Sequence, residues 1–245
     1  MSVRAWRERA RISQLELALR AGTTQRHVSF IESGRSTPGR AMLIRLAEAL
    51  DVPLRDRNAL LLGAGFAPVY PETPFGDPEF APVRRALERV LDGHLPYPAV
   101  LVDRAGDLLA ANAAFDALVQ TAAPELLTPP ISVARVLMHP DGLGRRIVNF
   151  DEWGRHVVDA LRRRGNEELA SELAALLPER TPGPDHRGHA VPLRLRTDDG
   201  ELTLLTTLTH FGTAVDVTVA ELSLEAFLPA DEATERALAG WRPPG

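Results

Sequence analysis

Residues 13–34 read SQLELALRAGTTQRHVSFIESG, and this stretch decides the fold of the N-terminal part. Ser13-Gln14-Leu15-Glu16 is a capping box, in which a serine hydroxyl and a glutamate satisfy free N–H groups at a helix start. Ser13 is therefore expected at an N-cap, with Leu15, Ala18 and Leu19 as the apolar stripe of the helix behind it. Gly22 stops that helix, because glycine takes the left-handed conformation at low cost. Thr24 caps the next helix, Val28 and Ile31 form its inner edge, and Gly34 closes it. Two short helices about the tight Gly22-Thr23 turn have helix-turn-helix geometry, which presents the second helix to the major groove of DNA.

Further helices are expected on both sides of this unit. One spans about residues 2–10, with Val3, Trp6 and Ala10 on a single face. Another covers 39–50 and carries Met42, Leu43, Leu46, Ala47 and Leu50, and a fifth covers 58–62. Residues 1–65 thus read as an all-α helix-turn-helix bundle. Residues 66–80 hold Pro68, Pro71, Pro74 and Pro78. Proline fixes φ and removes a donor, so this stretch is expected to be an extended linker.

Charge divides at the same place. Residues 1–65 hold 11 arginines against 6 acids, a net +5, and residues 66–245 hold 17 against 27, a net −10, within a total of −5. A basic head on an acidic body points to two parts with different partners. All 28 basic residues are arginine, and there is neither lysine nor cysteine. Without lysine, Schiff-base chemistry and a Walker phosphate loop are excluded; without cysteine, so are disulfides, thiol nucleophiles and cysteine-based metal sites. No run approaches the roughly 18 apolar residues of a transmembrane helix. The N-terminal MSVRAWRERAR lacks the apolar segment of a secretory signal. A cytoplasmic protein without membrane contact is expected.

Residues 81–245 alternate differently. Ala81–Leu91 reads as a helix with Val83, Leu87, Val90 and Leu91 inward. Two strands, Ala99–Val102 and Leu108–Ala111, are joined by a turn at Asp103–Asp107, and Asn112 caps a helix over Ala113–Val119. Phe150, Trp153, Val157 and Leu161 recur at helical spacing, and a further helix covers Glu167–Leu177. Pro182–Gly188 is a loop by composition. Three strands then follow: Val191, Leu193 and Leu195; Leu202–Leu208; and Val215, Val217 and Val219, with a bulge before Leu222 and Leu224. The sum is an α+β domain with an antiparallel five-stranded sheet.

Side chains able to read DNA collect at the start of the second helix of the helix-turn-helix. They are Thr24, Gln25, Arg26 and His27, with Ser29 and Phe30 on the next turn. Glutamine pairs with adenine, arginine with guanine, and phenylalanine touches a thymine methyl. Gln14 begins the preceding helix, where backbone N–H groups and an amide hold a phosphate. One such unit makes few contacts. A homodimer on a pseudo-palindromic operator is expected, with half-sites about 34–36 Å apart or a multiple of that.

Residues 13–70, with RHVSFIESGRS, PLRDRNALL and APVY, resemble the DNA-binding region of MmyB-like transcription regulators, which use an XRE-type helix-turn-helix. Similarity continues through PYPAVLVDRAGDLLAANAAF, HPDGLGRRIVNFDEW and FGTAVDVTVAELSLEAFLPAD, so it covers essentially the whole chain. The resemblance implies that Gln25, Arg26 and Phe30 face bases and that Gln14 contacts a phosphate. It also implies an ion pair of Arg7 with Glu32, and makes Arg35 and Arg40 backbone contacts. For residues 81–245 it implies a PAS-like sensor domain around a cavity. The ligand implied is a fatty acid or a similar acidic apolar molecule, with no other cofactor.

Within that domain Phe150, Trp153 and Val157 are the candidate wall of a cavity. HPDGLGRRIVN brings His139, Arg146 and Asn149 close together in sequence, and an arginine fork matches a carboxylate. Arg146, with His139 or Asn149, is the candidate head-group site. No metal site is expected: His186 and His189 flank a Pro/Gly loop, and there is no HExxH. No G-x-S-x-G elbow is present, and Asp198-Asp199-Gly200 reads as a hairpin turn, so no catalytic residue is proposed. The reading is a ligand-controlled, sequence-specific DNA-binding transcription regulator and not an enzyme. Two alternatives stay open: a C-terminal protein-interaction module without ligand, and an enzyme acting on a lipid or peptide.

Overall fold

A computed structural model describes residues 2–179, 190–198 and 200–240. The expected loop at Pro182–Gly188, with His186 and His189, lies outside the described residues, as does Asp199 of the expected hairpin turn. The chain divides into two units, each with its own core. The first comprises Met1–Pro74 with Phe211–Ala220; the second comprises the described residues of Phe75–His210 and Glu221–Gly245.

The first unit begins with α1 (Val3–Arg9), α2 (Gln14–Arg20), α3 (Gln25–Glu32), α4 (Arg40–Ala49) and α5 (Leu54–Gly63). The caps act as the sequence implies. Ser13 Oγ accepts from Glu16 N at 3.1 Å and Thr24 Oγ1 from His27 N at 3.2 Å. Gly22 and Gly34 turn the chain at φ +62° and +72°, conformations that a Cβ would strain. The core comprises Val3, Trp6, Leu17, Ala18, Val28, Leu43, Leu46, Ala47, Leu50 and Leu61, among others. The stripe of α2 differs from expectation. Leu17 and Ala18 are buried, while Leu15 and Leu19 are 52% and 69% exposed. The helix is only seven residues long, and two apolar stripes three to four apart overlap on it, so periodicity alone picked the wrong one.

Residues 66–74 contain neither helix nor strand, in keeping with their prolines. They are nonetheless pinned to α5. Asn58 Oδ1 accepts from Val69 N at 3.0 Å and Tyr70 N at 3.1 Å, and Asn58 Nδ2 donates to Tyr70 O at 2.8 Å. Arg57 adds a hydrogen bond to the Tyr70 hydroxyl and lies over its ring. A 3-10 turn at Pro78–Phe80 follows, already within the second unit.

The second unit contains α6 (Ala81–Asp92), β1 (Ala99–Val102), β2 (Leu108–Ala111), α7 (Ala113–Val119), α8 (Val133–Met138), α9 (Phe150–Arg163), α10 (Glu167–Ala174), β3 (Leu193–Thr197) and β4 (Gly200–His210). After these come α11 (Val217–Glu221), β5 (Ser223–Pro229) and α12 (Glu232–Ala239), of which α11 lies mostly within the first unit. The sheet is five-stranded and antiparallel, in the order β2-β1-β5-β4-β3. Asn112 caps α7 as expected and also accepts from Ala99 N, tying helix start to strand start. On α6, Leu87 and Leu91 are buried, but Val83 and Val90 face outward.

One expected strand is corrected. Val215, Val217 and Val219 do not form a strand: α11 covers 217–221, and β5 starts at Ser223. The reason is local. Asp216 Oδ1 accepts from Thr218 N at 2.8 Å and Val219 N at 3.3 Å, the geometry of a helix cap. Three alternating valines imitate strand periodicity, but a capping aspartate between them outweighs it. The bulge also lies elsewhere, at Leu101/Val102 in the β1–β2 ladder.

Candidate functional site

The candidate DNA-facing residues are set by how α1, α2 and α3 are fastened together. Arg7 donates to both carboxylate oxygens of Glu32, at 2.7 and 2.9 Å, and to Ile12 O at 3.0 Å. Gln14 Nε2 donates to Glu32 Oε2 at 2.8 Å. One carboxylate thus joins residues of all three elements. The Arg7 and Glu32 side chains are 14% and 4% exposed, so the expected pair forms and is largely shielded from water. Burial pushes the Glu32 carboxyl up, but hydrogen bonds from Arg7 and Gln14 outweigh it and hold the group below its ordinary value. Gln14, expected on a phosphate, uses one of its two amide N–H donors on Glu32.

Along α3, Thr24, Gln25 and Arg26 are exposed, while His27, Ser29 and Phe30 are half-buried. Thr23 Oγ1 lies 3.0 Å from His27 Nδ1, which steadies the start of the helix. Arg26 and Arg35 both lie over the Phe30 ring, at 5.2 and 6.0 Å from its centroid. Phe30 therefore orders two guanidinium groups as well as offering an apolar edge. The Phe30 carbonyl accepts from Arg35 N and Ser36 N, which holds the turn bearing Arg35 beside α3. Arg35 and Arg40 are exposed.

In the second unit a cavity of about 300 Å³ opens between α9 and the sheet. Its apolar wall includes Val102, Leu137, Trp153, Leu161 and Phe227, and Val157 of α9 also lines it. The polar lining residues are His156, Arg164, Thr206 and Glu225. Arg164 Nη1 lies 3.4 Å from Glu225 Oε1, with the side chains 37% and 16% exposed. His156 is exposed as well. Trp153 and Phe227 are buried while His156 and Arg164 reach water, so the lining combines buried apolar side chains with exposed polar ones, and exposed Leu208 joins them.

Of the residues expected at a ligand, Trp153 and Val157 line this cavity. Phe150 packs against the surrounding core. His139, Arg146 and Asn149 are engaged elsewhere. Asn149 Nδ2 donates to Pro192 O at 2.9 Å and its Oδ1 accepts from Arg194 N at 3.1 Å, so it latches the start of β3. Arg146 Nε donates to Arg196 O at 3.1 Å, and His139 Nδ1 accepts from Asp141 N at 3.1 Å in a turn. None of the three is among the cavity residues, because nearness in sequence here serves a turn and a strand edge. The cationic residue that does line the cavity is Arg164, and its signal was present. Trp153, Val157, Ala160 or Leu161, and Arg164 follow the helical period of three to four residues. Among the described residues, no group of three or more His, Cys, Asp or Glu is arranged to hold a metal ion.

These two sites have counterparts in known proteins. A helix-turn-helix model matches residues 3–56, and the model of the MmyB-like transcription regulator ligand binding domain matches residues 83–240. An uncharacterized HTH-type transcriptional regulator, y4dL, of Sinorhizobium fredii is 46% identical over 52 residues, or 21% of this chain and 26% of that protein. This chain thus matches about a quarter of that relative's length. Among solved structures, an RNA-binding light-oxygen-voltage receptor aligns with 96% of this chain and 58% of its own, at 16% identity and a TM-score of 0.32. A PAS domain from Desulfitobacterium hafniense aligns over 54% of this chain and 91% of its own, at 15% identity and a TM-score of 0.23. With a helix-turn-helix followed by a ligand-binding domain whose model covers most of its length, this chain belongs to the MmyB-like transcription regulators.

Proposed function

We propose that this DNA-binding regulator is controlled by a small acidic apolar molecule, fatty-acid-like in chemistry, held in the cavity of the second unit. The observation that carries the reading is the mixed lining: apolar along Trp153, Leu161 and Phe227, with Arg164 and His156 reaching water. An apolar chain gains about 25 cal/mol for each Å² it removes from water. A carboxylate at Arg164 adds a charge-assisted hydrogen bond, worth about 1.5–3 kcal/mol. Arg164 already faces Glu225, but through one long contact of 3.4 Å, and a guanidinium has further N–H donors to offer an incoming carboxylate. The volume, about 300 Å³, lies at the lower end of small-molecule sites and suits a slender ligand.

On the DNA side, Gln25, Arg26 and Phe30 read bases, and Thr24, His27, Ser29, Arg35 and Arg40 hold the backbone and the register. The regulator acts as a homodimer on a pseudo-palindromic operator in the cytoplasm, because one recognition helix alone contacts too few bases for specificity. The test begins with organic extraction of the purified full chain and mass spectrometry of what is released. The stripped protein is then titrated with decanoate and with decanol. An acidic lipid in the extract, together with an Arg164→Gln variant at least tenfold weaker for decanoate and little changed for decanol, supports the reading. No bound molecule and no binding of either compound favours a ligand-free interaction module. Turnover of a lipid or peptide favours an enzyme, and equal losses for acid and alcohol contradict the head-group role.

A further inference from the structure

The connection between β4 and β5 does more than reverse the chain. Its residues Phe211–Ala220 belong to the first unit, with Met1–Pro74. There it grips the linker segment through three hydrogen bonds. Asp216 Oδ2 accepts from Thr73 N at 3.1 Å and from Thr73 Oγ1 at 2.8 Å, and Val217 N donates to Pro71 O at 2.7 Å. Val217 is fully buried. The neighbouring linker residues, Val69 and Tyr70, are those held on α5 by Asn58 and Arg57. A continuous set of hydrogen bonds therefore runs from α5 through residues 69–73 to Asp216 and Val217.

The same connection is covalently continuous with the cavity wall. Leu205, Thr206 and Leu208 of β4 and Glu225 and Phe227 of β5 line the cavity. Leu208 is the register partner of Glu225, and the ladder ends at His210 and Ser223, whose side chains meet at 3.1 Å. Two of the three strands that line the cavity thus lead directly into the clasp. From this we infer that the Asp216–Thr73 clasp transmits the state of the cavity to the helix-turn-helix, with Asp216 as the positioning residue. Its two carboxylate oxygens divide the work: Oδ1 caps α11 and Oδ2 holds the linker. A change at Leu208 or Glu225 shifts the strand ends, the strand ends shift α11, and α11 shifts the linker anchored on α5. A contiguous element with two arrangements is one physical route by which distant sites couple.

The inference rests on the proposed control by a cavity ligand, and its test separates the two. Asp216→Asn keeps a cap for α11, since asparagine caps as well as aspartate does. It sets an amide N–H₂ or a single oxygen against the donors of Thr73. Thr73→Val removes the hydroxyl from the other side. In the full-length protein, DNA affinity and decanoate affinity are each measured alone, and DNA affinity is then measured at saturating decanoate. The wild type is expected to shift its DNA affinity by about fivefold or more, the usual scale of allosteric coupling. Both variants are expected to keep each separate affinity within about threefold while the shift falls below about twofold. A role confined to stability lowers the unfolding temperature and leaves the shift intact, which overturns the inference. A wild type without any shift overturns the control itself, and the clasp with it.

Discussion

Glu32 accepts hydrogen bonds from residues 25 and 18 positions away and is almost wholly buried while doing so. Removing Arg7 strands that carboxylate. Arg7→Ala is expected to cost about 3 kcal/mol of stability, toward the lower end for breaking a buried pair, as read by denaturant unfolding. Because Glu32 titrates below its ordinary value of 4.5, its contribution is full above that value and is lost as pH falls through the lowered one. Stability of the wild type should therefore drop on acidification below the ordinary range. Glu32→Gln should remove much of that dependence while weakening the bundle at neutral pH; an unchanged acid profile would count against this role. Arg26 is exposed and stacked on Phe30, so it is free to meet a base. Arg26→Ala is expected to weaken specific binding by about 1–3 kcal/mol and to relax one base position. A mobility-shift series with no loss in either respect would remove it from the groove.

At the level of elements, α9 carries both the cavity wall and the candidate head-group residue. Val157 lines the void and is only partly buried, so a larger side chain there grows into open space. Val157→Trp is expected to reduce decanoate binding at least tenfold. Overpacking costs about 1–3 kcal/mol, so the unfolding temperature should fall by only a few degrees. A variant that still binds with wild-type affinity would show that the ligand lies elsewhere. The helix-turn-helix was legible because its signals are local and chemical: Ser13 and Thr24 as caps, Gly22 and Gly34 as stops. The sheet was legible where alternation was clean, as at Leu193 and Leu195. It was misread at Val215, Val217 and Val219, where a capping aspartate competed with the pattern. The head-group site was the least legible. Arg146 and Asn149 have the right chemistry, yet their partners lie about 50 and 43–45 residues away on β3 and just before it, and no local pattern reveals such a pairing.

Over the whole molecule, residues 1–65 carry a net +5 and the remainder a net −10, a division that suits the proposed DNA contact of the first part. On the proposed reading the basic part meets the DNA phosphates, so DNA affinity should fall steeply with salt, while the acidic part contributes nothing attractive to that term. All 28 Lys and Arg positions are arginine, which leaves Arg164 as the guanidinium in the cavity lining. No helix among the described residues is long and apolar enough to cross a membrane. The central claim is that filling the cavity changes how the helix-turn-helix holds DNA. The most direct measurement is fluorescence anisotropy of the full chain on sites selected from random DNA, with and without saturating decanoate. A shift of about fivefold or more in Kd, absent in Val157→Trp, is the expected result. A Kd that stays the same while decanoate demonstrably occupies the cavity would contradict it.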